Sequence, residues 1–240
     1  MPYMTWNQQG AQVAAAILMH RFNGHLFSPE YICLQEVGNP GWGGAVVNEL
    51  PLPPWAPLTS RLFAFQGLFL NGKNYNGFYL YWAAKAGGNP RCSMAVLHLA
   101  NLGPHVPGGW WDGIETHRPV LWARPAGGWP AIGCVHAPSG GNPVYILAAV
   151  TAMSATFPAA AGIPWRLVGD FNLHYPQLVL LYKPGWPAPL NVLPSNSSGG
   201  PTQRQGGDLD YSMGTLPNTP NCASSDWYLF GSDHLAVAFW

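Results

Sequence analysis

The chain has 240 residues, of which 48% are hydrophobic and only 8% are charged, against roughly 25% charged in ordinary soluble domains. Lysine plus arginine and aspartate plus glutamate each total 10, so the formal net charge is zero and no overall field attracts polyanions. The length suits one domain over residues 1–240, and the longest apolar runs, Ala11 to Met19 and Val144 to Met153, fall short of the about 18 residues a membrane span needs.

From the N-terminus, Met1-Pro2-Tyr3-Met4-Thr5-Trp6-Asn7 leads directly into a strand-like segment. It has no basic stretch, apolar core or small-residue cleavage site, so no secretion signal is expected within this chain. A helix is predicted over Ala11–Phe22. Short apolar runs bounded by Gly, Pro and Asn then predict strands at Tyr31–Gln35, Phe78–Trp82, Met94–Leu97, Val120–Ala123, Ala131–Val135, Arg166–Val168, Leu209–Met213 and Leu235–Trp240. Further helices are predicted over Pro143–Thr156 and Tyr175–Tyr182, and the Pro- and Gly-rich stretches Pro40–Pro57, Gly103–Gly113 and Lys183–Gly200 read as loops. Many strands with few helices, and no strict strand–helix alternation, predict an α/β (α+β) domain of two sheets packed face to face with helices outside.

Cys33, Cys92, Cys134 and Cys222 show no metal-type CxxC pairing and read as buried free thiols, with disulfides as the alternative. Most of the twelve tryptophans read as core, and Trp110-Trp111, in a Gly-rich stretch, reads as the exposed pair. His20, His25, His98, His105, His117 and His174 carry no evident chemical context and read as surface or core residues.

Only ten carboxylates exist, yet several stand at the ends of apolar runs, where strands deliver side chains to a rim: Glu36, Asp170, Asp210 and Asp233. Singly, such residues are usually caps or turn formers; together they invite a metal reading. His136 likewise closes a run and precedes Ala137-Pro138-Ser139-Gly140-Gly141-Asn142, a turn able to present backbone donors to an anion.

Their order carries more information. Thr5-Trp6-Asn7, Leu34-Gln35-Glu36, His117-Arg118-Pro119, Val135-His136-Ala137, Gly169-Asp170-Phe171-Asn172, Leu209-Asp210-Tyr211 and Ser232-Asp233-His234 follow one another as the motifs of the endonuclease/exonuclease/phosphatase superfamily do. That superfamily includes deoxyribonuclease I, apurinic endonucleases, sphingomyelinases and inositol-polyphosphate 5-phosphatases. Met4 to Gly10, His136-Ala137 with Ser139-Gly140-Gly141, Pro201-Thr202-Gln203 before Gly206-Gly207, and Ser232-Asp233-His234 before Val237-Ala238-Phe239 resemble the nuclease-type B subunits of cytolethal distending toxins.

The resemblance implies a four-layer, deoxyribonuclease I-like sandwich and a Mg2+-dependent phosphodiesterase that nicks DNA, with Mn2+ or Ca2+ as substitute ions. It implies Glu36 as principal metal ligand with Asn7 and Asp233. His136, His234, Asp170, Asn172 and Asp210 would be catalytic, and Arg118, Asn142 and Arg91 would contact phosphate. It further implies secretion, delivery subunits and a site of action in the host nucleus, while the isolated chain is expected to be a monomer. The family also offers an acid near Asn76 that supports the first catalytic histidine, whereas no Asp or Glu occurs between Glu49 and Asp112 here. Phosphate-tracking cations reduce to Arg91, Arg118, Arg124, Arg166, Arg204, Lys73, Lys85 and Lys183. A phosphoinositide or other lipid phosphoester therefore stands beside DNA as substrate, and a catalytically degenerate binding subunit is the third reading.

Overall fold

The computed structural model describes residues 1–9, 21–22, 25–26, 28–38, 44–70, 72–82, 93–114, 117–128, 130–158, 163–181, 201–215, 222–226 and 232–240. In chain order its strands are β1 (Tyr3–Asn7), β2 (Arg21–Phe22), β3 (His25–Leu26), β4 (Tyr31–Gln35), β5 (Val46–Leu50), β6 (Ser60–Leu70), β7 (Lys73–Trp82), β8 (Met94–Leu99), β9 (His105–Trp110), β10 (Val120–Pro125), β11 (Ala131–His136), β12 (Trp165–Asp170), β13 (Asp210–Gly214), β14 (Cys222–Ser224) and β15 (Val237–Phe239). The helices are α1 (Pro143–Thr156) and α2 (Tyr175–Leu181).

One sheet runs β14-β15-β1-β4-β8-β7-β6-β5 and a second runs β13-β12-β11-β10-β9, while β2 and β3 form a separate pair. Pairing is antiparallel except at β1–β4 and β11–β12. Those two parallel pairs end their strands at Asn7 with Gln35 and at His136 with Asp170.

Strand alternation sends every second side chain between the sheets. Tyr3, Cys33, Leu80, Met94, Val96, Ile132, Cys134 and Val168 form that shared core. The opposite face of the five-stranded sheet, with Trp165, Leu167, Tyr211 and Met213, is covered by Tyr145, Ile146, Ala149, Val150 and Met153 of α1. Helix α1 begins where the sequence supplies both a cap and a rigid first turn: Asn142 Oδ1 accepts from Tyr145 N at 3.1 Å, and Pro143 follows it. The outer face of the eight-stranded sheet, including Met4, Trp6, Ile32 and Leu34, is buried as well. The two mainly antiparallel sheets therefore pack face to face, as the sequence predicts. Among the described residues no helix is long and apolar enough to cross a membrane.

Three expectations differ. Of the predicted helix Ala11–Phe22, residues 11–20 lie outside the described residues, and Arg21–Phe22 are strand, paired with His25–Leu26. The stretches read as loops at Pro40–Pro57 and Gly103–Gly113 contain the edge strands β5 and β9. An edge strand tolerates proline because half of its amides need no ladder partner, which admits Pro107. The glycines of β9 also leave room for neighbouring rings, since a Cβ at Gly108 would lie 2.0 Å from Trp122 Nε1. Lys183–Gly200 lies outside the described residues. Cys33 and Cys134 are buried free thiols and Cys222 is a half-buried one; Cys92 lies outside the described residues.

Gly169 is required by the close approach of β11. Its φ is +153°, and a Cβ there would meet Val135 O at 1.9 Å. Gly169→Ala is expected to destabilise the fold by about 3 kcal/mol, read as a lower urea midpoint. Gly127→Ala, in open space, should leave the midpoint nearly unchanged.

Candidate functional site

The same alternation that fills the core decides which polar groups meet at its end. Asn7 shares the inward face of Tyr3, His136 that of Cys134, and Asp170 that of Val168. His136 pairs in register with Asp170, and Asp170 with Asp210, so one rung across three strands carries an imidazole and two carboxylates. Asn7 and Gln35 close the parallel pair of the facing sheet, with Glu36 next in sequence.

Asp170 Oδ2 is the hub. Asn7 Nδ2 donates to it at 2.9 Å across the sandwich, and it lies 3.6 Å from His136 Nε2 and 3.8 Å from His234 Nε2. The other oxygen, Oδ1, accepts from Asn172 N at 2.8 Å. His136 Nε2 is also 3.5 Å from Glu36 Oε1, and His234 Nε2 is 3.6 Å from Asp233 Oδ1. Asp210 Oδ2 lies 2.8 Å from His234 Nδ1, a charge-assisted bond that fixes the ring and turns its Nε2 towards the hub. Glu36, Asn7, His136, Asp170, Asp210 and His234 are all buried, and Asp233 is partly exposed.

Among the described residues three other than glycine adopt positive φ, and all border this cluster: Gln9 at +49°, Glu36 at +50° and Asn172 at +49°. Each lies one or two residues past a strand end. Left-handed backbone is disfavoured for residues with a Cβ and concentrates at functional sites. Asn172 is retained there by its bond to Asp170 and by Nδ2 donating to Ala137 O at 2.8 Å, and Gln9 by N–H donation to Asn7 Oδ1 at 3.2 Å.

Burial, and after it the charge of Asp210, raise the Asp170 carboxyl to about 7 against the opposing pull of His234 and two donated hydrogen bonds. Burial alone would lower the His234 imidazole, but Asp210, Asp170 and Asp233 outweigh it and carry its pKa to about 10. At neutral pH the site thus pairs a cationic imidazole with a carboxyl poised between its two states.

The donors also fit a cation. Asp170, Asp210 and His234 bring possible ligand atoms within 4.8 Å of one another, and with His234 cationic the two carboxylates are the ones that would take the ion. Asp210 Oδ1 and Asp233 Oδ1 are buried without a hydrogen-bond partner among the described residues, acceptors that a bound ion would satisfy. Carboxylate and amide oxygens predominate, the set hard divalent ions prefer.

Around the hub, Arg118 Nη1 donates to Ala137 O at 2.8 Å and its carbonyl accepts from Tyr145 OH at 2.7 Å, tying its loop to the His136 turn and α1. Asn142 caps α1 and places Nδ2 3.4 Å from His117 Nε2, while His117 Nδ1 lies 2.5 Å from Asp112 Oδ2. Sequence reading gave His117 no chemical context; the available signal was an aspartate five residues before it. Trp110 and Trp111 are half-buried, not exposed: Trp110 packs on Tyr145, and Trp111 Nε1 donates to His117 O at 2.9 Å. Arg166 is fully buried and cannot track phosphates. Arg91 lies outside the described residues.

Asn76 is not where the alignment of motifs put it. It pairs with His98, which pairs with Tyr31, whereas the rung that reaches the hub joins Leu80, Met94 and Gln35. Four residues of strand separate the two rungs, about 13 Å. Asn76 instead accepts from Gly67 N at 3.1 Å. No carboxylate from β7 reaches His136, because β7 has none.

Removing the charge of Asp210 should unmask the environment of His234. Its folded pKa lies above the unfolded value, so the pair's stabilisation is complete below about pH 6.5 and is lost as pH rises towards about 10. In Asp210→Asn the His234 ring, followed by NMR, should titrate well below the wild-type position. The wild-type advantage in urea stability should shrink as pH is raised over that window.

No protein-family model and no curated protein matches the chain. Solved structures do. It is similar to CdtB, the biologically active subunit of cytolethal distending toxin, with a TM-score of 0.72 and 20% identity over 99% of this chain and 96% of that one. The cytolethal distending toxin of Haemophilus ducreyi gives 0.69 and 20% over 99% and 96%. An endonuclease/exonuclease/phosphatase family protein from Leptotrichia buccalis C-1013-b gives 0.56 and 11% over 100% and 98%. The chain has the endonuclease/exonuclease/phosphatase fold, with its buried Asp–His cluster at the end of the sandwich where the two parallel strand pairs terminate.

Proposed function

We propose that the chain is a Mg2+-dependent phosphodiesterase that nicks DNA as the catalytic subunit of a toxin. The observation that carries this reading is the position of Asp170 Oδ2, within 3.8 Å of both His136 and His234 Nε2 and hydrogen-bonded to Asn7. Phosphoester hydrolysis needs a base for water, donors for the phosphoryl oxygens and a local positive charge, and this arrangement can meet all three needs.

Asp170, with a pKa of about 7, suits proton acceptance from the attacking water. His234, held cationic by Asp210, suits charge stabilisation of the transition state and proton donation to the leaving oxygen. His136 Nε2, between Glu36 and Asp170, directs a second donor to the same point. Glu36 would hold the cation with Asn7 and Asp233 beside it, and the Asp170–Asp210–His234 group lies within reach. Mg2+ would neutralise the phosphate charge and lower the pKa of water. Asn172 and Arg118 share Ala137 O and thereby brace the His136 turn. Asn142 retains a second amide proton for a phosphate oxygen, and Arg91 is proposed to contact the substrate backbone. Secretion, delivery subunits and action in the host nucleus follow from likeness to the toxin and are part of the same proposal.

Charge scarcity favours a second reading, a phosphoinositide or other lipid phosphoester. Arg166 is buried and Arg61 is committed to Glu49 at 2.6 Å, so among the described residues few cations remain to follow a duplex. Plasmid nicking should appear with Mg2+ and vanish with EDTA, and phosphate release from phosphatidylinositol 3,4,5-trisphosphate, measured alongside, separates the two substrates. His136→Ala and Asp170→Ala should each lose at least about 100-fold in rate while retaining the wild-type circular dichroism. Absence of both activities in the wild type refutes the catalytic reading. For duplex DNA, the slope of log affinity against log salt should be shallow, about −2 to −3, in keeping with two or three phosphate contacts.

A further inference from the structure

Along β7 and β8 the face between the sheets is apolar until its last rung. Phe78, Leu80, Met94 and Val96 belong to the inter-sheet core, and two residues further on that face presents Asn76 and His98, which are register partners. Here the sandwich opens into a cleft of about 310 Å³, walled in part by Phe78, Pro104 and Pro107. His98 is buried there and needs a partner, while Asn76 is half-exposed beside it.

Each has one committed atom and one open one. Gly67 N donates to Asn76 Oδ1 at 3.1 Å, at the bulge between Phe65 and Leu68, and among the described residues the Nδ2 protons have no partner. His98 Nδ1 lies 3.2 Å from Leu99 O, so the proton sits on Nδ1 and Nε2 offers a lone pair. The ring is held in place by stacking on His105, 3.6 Å between centroids, and His105 Nε2 in turn accepts from Tyr31 OH at 2.8 Å. Burial, with His105 adding to it, lowers His98 to about 4, so the acceptor stays neutral at physiological pH.

We infer that this cleft binds a small planar lactam of the uracil or hypoxanthine type, its ring N–H donating to His98 Nε2 and its adjacent carbonyl accepting from Asn76 Nδ2. An acceptor and a donor facing each other on paired strands, about 5 Å apart at Cα, match the edge of a cis-amide. Aromatic and proline walls suit a flat ring. Among the described residues no Lys, Arg, Asp or Glu lines the cleft, so the site is built for a free neutral base and not for a phosphorylated strand. The rung lies four residues from the one that reaches Asp170, so this inference stands whether or not the proposed catalysis does.

The test is a ligand series on the wild-type protein, followed by the His98 ring signals in NMR. Uracil should bind saturably and shift the His98 Nε2 resonance. 1,3-Dimethyluracil, which lacks the N–H, and 1-methylcytosine, which has no ring N–H and whose N3/N4 edge reverses donor and acceptor, should bind at least about tenfold more weakly. Asn76→Ser should weaken uracil similarly while leaving plasmid nicking unchanged. Equal binding of all three bases, or no saturable uracil binding, overturns the inference. An oligo(dU) hexamer that binds more tightly than uracil would overturn the assignment to a free base.

Discussion

The buried carboxylate of Asp170 constrains everything around it. A carboxylate removed from water must be hydrogen-bonded, paired with a cation or protonated. Asp170 draws on all three: Asn7 and Asn172 donate to it, His234 faces it, and its pKa still rises to about 7. Its bond to Asn7 also joins the two sheets at their open end, so the carboxylate at the centre of the candidate site is also one that links the sandwich.

Polar contacts continue inward from this point. Thr5 and Gln35 bond each other, Gln35 Nε2 donates to Cys134 Sγ at 3.0 Å, and Tyr3 OH lies 3.0 Å from Ser212 Oγ. A wholly apolar interface would leave the relative slide of two sheets weakly specified, whereas directional bonds fix it. The site tolerates little slide, because His136 and Asp170 belong to one sheet while Asn7 and Glu36 belong to the other. The left-handed backbone at Gln9, Glu36 and Asn172 is the cost of turning three strand ends towards one centre.

Much of this was legible in the sequence, for physical reasons that also explain the failures. Runs such as Tyr31–Gln35 and Ala131–His136 are buried on both faces and read as continuous apolar segments, and α1 announces itself through Asn142-Pro143. Strand β6 was missed because its bulge at Gln66–Gly67 breaks the alternation, and β5 because its residues are largely exposed at a sheet edge. The order of motifs pointed to Glu36, His136, Asp170 and His234, which the fold brings together. It misplaced Asn76, since register along β7 depends on pairing with β8 and not on spacing from neighbouring motifs. The Asp112–His117–Asn142 chain was missed because it consists of ordinary loop residues whose relation appears only after α1 docks.

The low charge of the chain shifts weight from long-range attraction to local geometry. With Arg166 buried and Arg118 bonded to Ala137 O, the proposed function rests on the cluster itself as the place where a phosphoester is held. Anomalous diffraction from crystals grown with Mn2+ tests that most directly. A single peak at coordination distance, about 2 Å, from Glu36 and one or more of Asp170, Asp210 and Asp233 is the result the account predicts. No peak there, or a peak elsewhere on the molecule, would contradict it.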